Sequence, residues 1–272
     1  EKRHKILQIN VTVNTGSTGR IVEDICNLSQ NAGFDPFVAY GRKNNRSSFH
    51  TIKVGNKLGV ALHVVNTRLF DKHGKGSKRA TQKLLDKITK LNPSIIHLHN
   101  IHGYYLNYPL LFDFLRTANV PVIWTLHDCW SFTGHCAFYE LVHCRKWRTE
   151  CNHCPLTSQY PASKWLDKSQ KNYHSKREAF NSVPNLELVV VSEWLKEQVA
   201  QSFLKKLKCR IIYNGIDRDI FYPRSSDTLI SKHNLHVFFI ILGVANAWDE
   251  RKGLEKFLKL SEYLQEDEKI GL

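Results

Sequence analysis

The sequence predicts a doubly wound α/β fold, a parallel sheet with helices on both faces. Three observations carry that prediction. Apolar runs alternate with helical patterns along most of the 272 residues. The runs are continuous, as strands buried on both faces require. The first run breaks into a glycine-rich turn that opens a helix.

Lys5–Val13 (KILQINVTV) is β-branched and apolar and reads as the first strand. Asn14-Thr-Gly-Ser-Thr-Gly19 forms the turn, and a helical pattern runs from Arg20 to Ala32. A strand follows at Pro36–Tyr40, then a basic helix at Ser77–Leu91, a strand at Ser94–Leu98 and a helix at Asn107–Thr117. Val120–Leu126 is the next strand. A cysteine-rich interruption precedes a helix at Ala162–Phe180, a strand at Leu186–Val191, a helix at Ser192–Phe203 and a strand at Lys208–Tyr213. The pattern changes near Asn214, where a turn-rich, polar stretch to Asn234 reads as linker. A strand at Val237–Val244 and a helix at Lys252–Leu264 then open a second unit too small to bury a core of its own. The expected organisation is a Rossmann-like domain over 1–224, with a Cys-rich insert at 129–160. Residues 225–272 form the linker and the beginning of a second Rossmann-like domain, so the chain reads as part of a larger two-domain protein.

Composition bounds the function. Hydrophobic residues at 42% and charged residues at 24% fit a globular chain and exclude disorder as the main state. The formal net charge of +14 favours anionic partners: nucleotide phosphates, nucleic acid or an acidic membrane face. No apolar stretch reaches the roughly 20 residues that span a bilayer. Glu1–His4 lead into a strand without the apolar segment and cleavage site of a signal peptide, so a cytoplasmic protein is expected.

Six segments carry the functional reading: Asn14-Thr-Gly-Ser-Thr-Gly-Arg20, Ile96-His-Leu-His-Asn-Ile-His102, Trp124-Thr-Leu-His-Asp128, Val191-Ser192, Tyr213-Asn-Gly-Ile-Asp217 and Arg251-Lys-Gly253. In this order and at these separations they resemble bacterial family 4 glycosyltransferases of the GT-B type, and most of all those of capsular or other surface polysaccharide assembly, which share the Gly134-His-Cys to Cys154-Pro insert. The resemblance covers nearly the whole chain. It implies two facing Rossmann-like domains, the first holding the acceptor and the second the nucleotide sugar. It further implies retaining transfer from a nucleoside diphosphate sugar to the hydroxyl of a saccharide or lipid-linked saccharide, with no metal cofactor required for catalysis. The inner membrane face, where lipid-linked acceptors reside, becomes an expected docking surface for a peripheral protein.

Elementary chemistry stands beside that resemblance. Gly16 and Gly19 flank a strand-to-helix junction whose backbone N–H groups suit an anionic phosphate or a sugar hydroxyl; a plain tight turn is the structural alternative. The resemblance brings this loop, with Arg20, to the donor diphosphate. His127 ends an apolar strand, where open α/β sheets place ligands, and an imidazole there can bond a sugar or exchange protons. The resemblance places it on the donor sugar. Asp128 either orients His127, reads an acceptor hydroxyl or caps the next turn. His99, Asn100 and His102 are expected to line the acceptor cleft, with Tyr104 and Tyr105 stacking on sugar or packing in the core. Arg251 and Lys252 resemble the family segment that neutralises the donor diphosphate, although the family's separate upstream Arg is missing from Val244–Trp248.

Cys136, Cys144, Cys151 and Cys154 end in a C-x-x-C pair and can supply a tetrahedral structural zinc site, with His135, His143 and His153 as reserve ligands. Reduced or reversibly oxidised thiols are the alternative. Such a zinc would shape the acceptor rim and do no chemistry. A competing function, a basic zinc-containing nucleic-acid-binding protein, draws on the charge and the cysteines. Dispersed basic residues and the lack of any nucleic-acid motif count against it, so no nucleic-acid partner is expected.

Overall fold

The structure, a computed structural model, describes residues 3–233, 239–245, 248–264 and 270–271. The chain divides into two compact units, Glu1–Gly215 and Ile216–Leu272. The first ends some residues before the expected boundary at 224, its last strand having already stopped at Ile211.

The first unit is built on seven parallel strands: β1 (Lys5–Val13), β2 (Asp35–Asn44), β3 (His50–Lys53), β4 (Ile95–Leu98), β5 (Val122–Leu126), β6 (Leu186–Val190) and β7 (Cys209–Ile211). Their order is β3-β2-β1-β4-β5-β6-β7, parallel throughout. The chain winds outward from β1 to β3, then returns to the other side of β1 with β4. That reversal between β1 and β4 opens a crevice at the carboxyl edge.

Helices α1 (Gly16–Asn31), α2 (Lys57–Phe70), α3 (Lys78–Leu91), α4 (Tyr108–Thr117), α5 (Ser169–Phe180) and α6 (Glu193–Gln201) connect the strands. Leu7, Ile9, Ile96, Leu98, Trp124, Leu188 and the inner sides of α3, α4, α5 and α6 form the main core. Val13, Val22, Cys26 and Val38 form a smaller one beneath α1. Fully buried side chains of the Leu, Ile and Phe class each stabilise by about 1.5–3 kcal/mol. Trp124 and Phe180 meet edge to face at 4.8 Å, tying β5 to α5.

Several elements differ from expectation. The sequence missed β3 and α2. β3 is only four residues long, and α2 turns Leu58 and Leu62 outward, so neither shows a clean buried period. The helix expected from Ala162 begins at Ser169. Residues ahead of it commit their backbone groups elsewhere: Ser163 N–H donates to the Thr157 carbonyl, Lys164 N–H to the Arg68 carbonyl and Lys168 N–H to Asp71 Oδ2. The strand expected to Tyr213 stops at Ile211.

The second unit holds α7 (Asp227–His233), β8 (Phe239–Ile240), a 3-10 turn (Glu250–Lys252), α8 (Leu254–Tyr263) and β9 (Ile270–Gly271), which pairs parallel to β8. The stretch read as linker therefore contains a helix. The strand expected over Val237–Val244 is two residues long in the described part, with Val237 and Phe238 outside the described residues. Gly253, with φ +74, ends the turn and shifts the helix start from Lys252 to Leu254.

Candidate active site

Three neighbouring strands deliver the site. β1, β4 and β5 lie side by side, and hydrogen bonds tie the residues that follow β4 to β1 and β5. His99 N–H donates to the Ile9 carbonyl at 3.0 Å, Asn100 N–H to Asn10 Oδ1 at 3.1 Å, and Trp124 Nε1–H to the His99 carbonyl at 2.9 Å. Tyr105 hydroxyl donates to the Asn100 carbonyl. The loop after β4 is thus pinned against the ends of β1 and β5. A recess of ≈ 10 Å³ lined by His99, Asn100, His102, His127 and Asp128 lies there. That is room for about one water.

His127 and Asp128 are partly exposed, whereas His99 and His102 are buried. His127 Nε2 lies 3.2 Å from His99 Nδ1, and His99 Nε2 lies 2.9 Å from Gln8 Oε1. Of the three roles open to Asp128, the structure draws the turn cap and adds a partner, His102. Asp128 Oδ2 bonds His102 Nε2 at 2.9 Å, and Oδ1 accepts from the Trp130 N–H that opens the next turn. His102 Nδ1 in turn meets the Tyr160 hydroxyl at 2.9 Å. Burial opposes charge on Asp128, but His102 outweighs it and holds the carboxyl below its usual range. Burial lowers His127 to about 4, with Asp128 partly offsetting it, so the imidazole is neutral at pH 7. The constellation can therefore read hydroxyls and hold a fixed negative charge beside them.

The other expected residues fall as follows. Gly16 has φ +66, a conformation that favours glycine, and is exposed at the start of α1. Thr15 makes no side-chain cap, so the first N–H groups of α1 are not capped by its hydroxyl. A Cβ on Gly19 would lie 2.8 Å from Thr12 Oγ1, so glycine lets α1 close on β1. Arg20 is exposed on α1. Tyr104 is half-buried at φ +70 and packs edge to face on His73 at 4.9 Å. Tyr105 is buried, so packing is its role. Arg251 and Lys252 sit in the second unit on the turn capped by Asp249, whose Oδ2 is 3.6 Å from Arg251 Nη2.

The Cys-rich insert brings Cys136 and Cys154 thiol to thiol, which draws Cys154 down to about 7 and pushes Cys136 up. Cys151 accepts the Gly134 N–H at 3.2 Å. Among the described residues no three His, Cys, Asp or Glu side chains form a group that could hold a metal ion. Of the four expected ligands, Cys136 and Cys154 engage each other and Cys151 a backbone N–H. A different anchor holds the insert. Lys176 Nζ donates to the Trp130 and Thr133 carbonyls at 2.6 and 3.0 Å over the Trp130 ring, and buried His135 pairs with Asp71 at 2.8 Å.

Sequence reasoning missed Gln8, His73, Asp71, Tyr160 and Lys176. Gln8 and Asn10 carried a signal, being two polar residues on one face of an otherwise apolar strand. The others had none, since their partners lie far away in the chain.

A sequence profile described as Glycosyltransferase Family 4 matches residues 18–220. A protein of Escherichia coli (strain K12) named as a colanic acid biosynthesis glycosyl transferase, WcaC, is 30% identical over 227 residues, 78% of this chain and 54% of that protein. The chain thus spans about half the length of that curated relative. Among solved structures, a glycosyltransferase from Rickettsia africae ESF-5 superposes with a TM-score of 0.55 at 11% identity, over 99% of this chain and 68% of that one. An E. coli trehalose-6-phosphate structure solved with UDP-2-fluoro glucose gives 0.50 at 13% identity, over 98% and 63%. At these identities the likeness to both structures is one of fold.

Proposed function

The chain belongs to glycosyltransferase family 4, and on that premise we propose that the full protein moves a sugar from a nucleoside diphosphate sugar to an acceptor hydroxyl in surface polysaccharide assembly, with retention. The observation that carries this reading is the convergence of the α1 turn, the His99–His102 loop and His127–Asp128 on the carboxyl edges of β1, β4 and β5. The bound UDP-2-fluoro glucose of the E. coli structural neighbour supports a nucleotide sugar as donor, and the polysaccharide role named for WcaC supports the product class.

In the proposed step the acceptor oxygen bonds to the anomeric carbon on the face from which the diphosphate departs. The carbon–oxygen bond to the diphosphate breaks, and the hydroxyl proton passes to the leaving phosphate oxygen. The helix start at Gly16 offsets the charge that grows there. His127 and the His102–Asp128 pair orient sugar hydroxyls. Replacing His127 by Ala in the full protein should lower transfer by about 10²-fold with folding intact, through lost positioning of the sugar. Near-normal turnover of a nucleoside diphosphate sugar would remove His127 from the site.

Peripheral docking on an anionic bilayer belongs to the same reading. Leu58, Leu62 and Val65 form one stripe of α2, exposed by 68, 56 and 50%. A groove of ≈ 700 Å³ beside it is rimmed by Lys53, Lys78, Arg79, Lys83 and Lys87. Apolar insertion flanked by cations fits anionic lipid better than nucleic acid. Lys83→Ala with Lys87→Ala should weaken binding to anionic vesicles by about 2 kcal/mol. Equal wild-type binding to neutral vesicles would contradict this docking.

A further inference from the structure

The hydrogen bonds behind His127 leave one assignment of its protons. Gln8 lies on β1 and is fully buried. Its amide nitrogen stands 2.9 Å from the Val22 carbonyl and 2.9 Å from the Cys26 sulfur. A carbonyl only accepts, so the group facing Val22 is the NH2 and the other amide atom is the oxygen. That oxygen is 2.9 Å from His99 Nε2, which therefore carries a hydrogen; the opposite tautomer would set two acceptors against each other. Burial, with His97 and His127 beside it, holds the His99 imidazole far below its usual basicity. A neutral ring has one N–H, so His99 Nδ1 is bare. His127 Nε2 faces that bare nitrogen at 3.2 Å and must donate to it. His127 is itself neutral, which leaves its own Nδ1 as a lone pair.

We infer that Gln8, acting through His99, fixes His127 as the Nε2–H tautomer and so makes its Nδ1 a hydrogen-bond acceptor for a hydroxyl of the bound sugar. Gln8 is then a positioning residue, separated from the ligand by two side chains, His99 and His127. An accepting Nδ1 takes a bond from a sugar hydroxyl and offers none to a phosphate oxygen, so His127 selects the sugar end of a donor over its diphosphate end. This ligand assignment rests on the proposed function; the tautomer does not.

Long-range 1H–15N spectra of the full chain at pH 7, with His127 identified by its loss in His127→Asn, read the tautomer directly. The expected spectrum shows His127 protonated at Nε2 and bare at Nδ1, and Gln8→Leu converts it to a mixture. A His127 protonated at Nδ1 in the wild type overturns the inference, as does an unchanged tautomer in a folded Gln8→Leu. The wild-type spectrum decides even where Gln8→Leu does not fold. In transfer assays His127→Asn, whose amide oxygen takes the place of Nδ1, should retain about 3–10-fold more activity than His127→Ala; equal loss in both overturns the accepting role. An Nε2–H spectrum in a full protein that transfers no sugar would refute the proposed function and leave the tautomer assignment standing.

Discussion

His127 is one of five histidines that the fold keeps neutral. Burial lowers His63, His97 and His127 to about 4, and drives His73 and His99 well below 6.5. The sign follows from linkage. Between pH 6.5 and about 4 the unfolded chain takes up protons that the native rings refuse, so stability is full above 6.5 and falls as the pH drops through that window. Each proton contributes up to about 1.4 kcal/mol per pH unit. His135 runs the other way: burial opposes its charge, but Asp71 overcomes it and raises the pKa. Its contribution is present below 6.5 and is lost as pH rises through the raised value. The five outweigh the one. Urea unfolding midpoints should fall steeply from pH 7 to pH 5, and a midpoint that rises on acidification would contradict the neutral cluster.

At the scale of elements, the insert after β5 has little regular structure and depends on what reaches it from α5. Lys176 is 2% exposed and serves two buried carbonyls at once. Lys176→Met keeps the apolar stem but orphans the Trp130 and Thr133 carbonyls, at about 1–3 kcal/mol each. Denaturant unfolding of that variant should show a loss of several kcal/mol, and a loss below about 0.5 kcal/mol would place the anchor elsewhere. The late start of α5 has the same origin. Asp71, at the end of α2, accepts the Lys168 N–H and pairs with His135, so residues before Ser169 serve the insert and not the helix.

Across the whole molecule, the thiols and the charge invite different tests. Four cysteines in one insert suggest zinc by spacing, yet the fold engages the Cys136, Cys151 and Cys154 sulfurs with a thiol or a backbone N–H and anchors the insert through Lys176 and the Asp71–His135 pair. Purified protein should carry well under about one zinc per chain, and a chelator should leave its melting temperature unchanged. Stoichiometric zinc with a large chelator-induced drop would restore the metal staple. No described helix is long and apolar enough to cross a membrane.

The alternation of strand and helix, the glycine turn after β1 and the placement of His127 at a strand end are legible in the sequence. These are local properties: apolar period, turn chemistry and the rule that a parallel strand's carboxyl end meets the ligand. The sequence did not reveal β3, which is only four residues long, α2, whose Leu58 and Leu62 face outward, or the start of α5, whose backbone is claimed by distant partners. Long-range packing sets the rest: Asp128 pairs with His102, Gln8 stands behind His99, and Lys176 and Asp71 hold the insert. Those pairings join residues 26 to 97 positions apart. No periodicity encodes them, because buried polar groups choose partners by where the packed strands and helices leave their donors and acceptors facing one another.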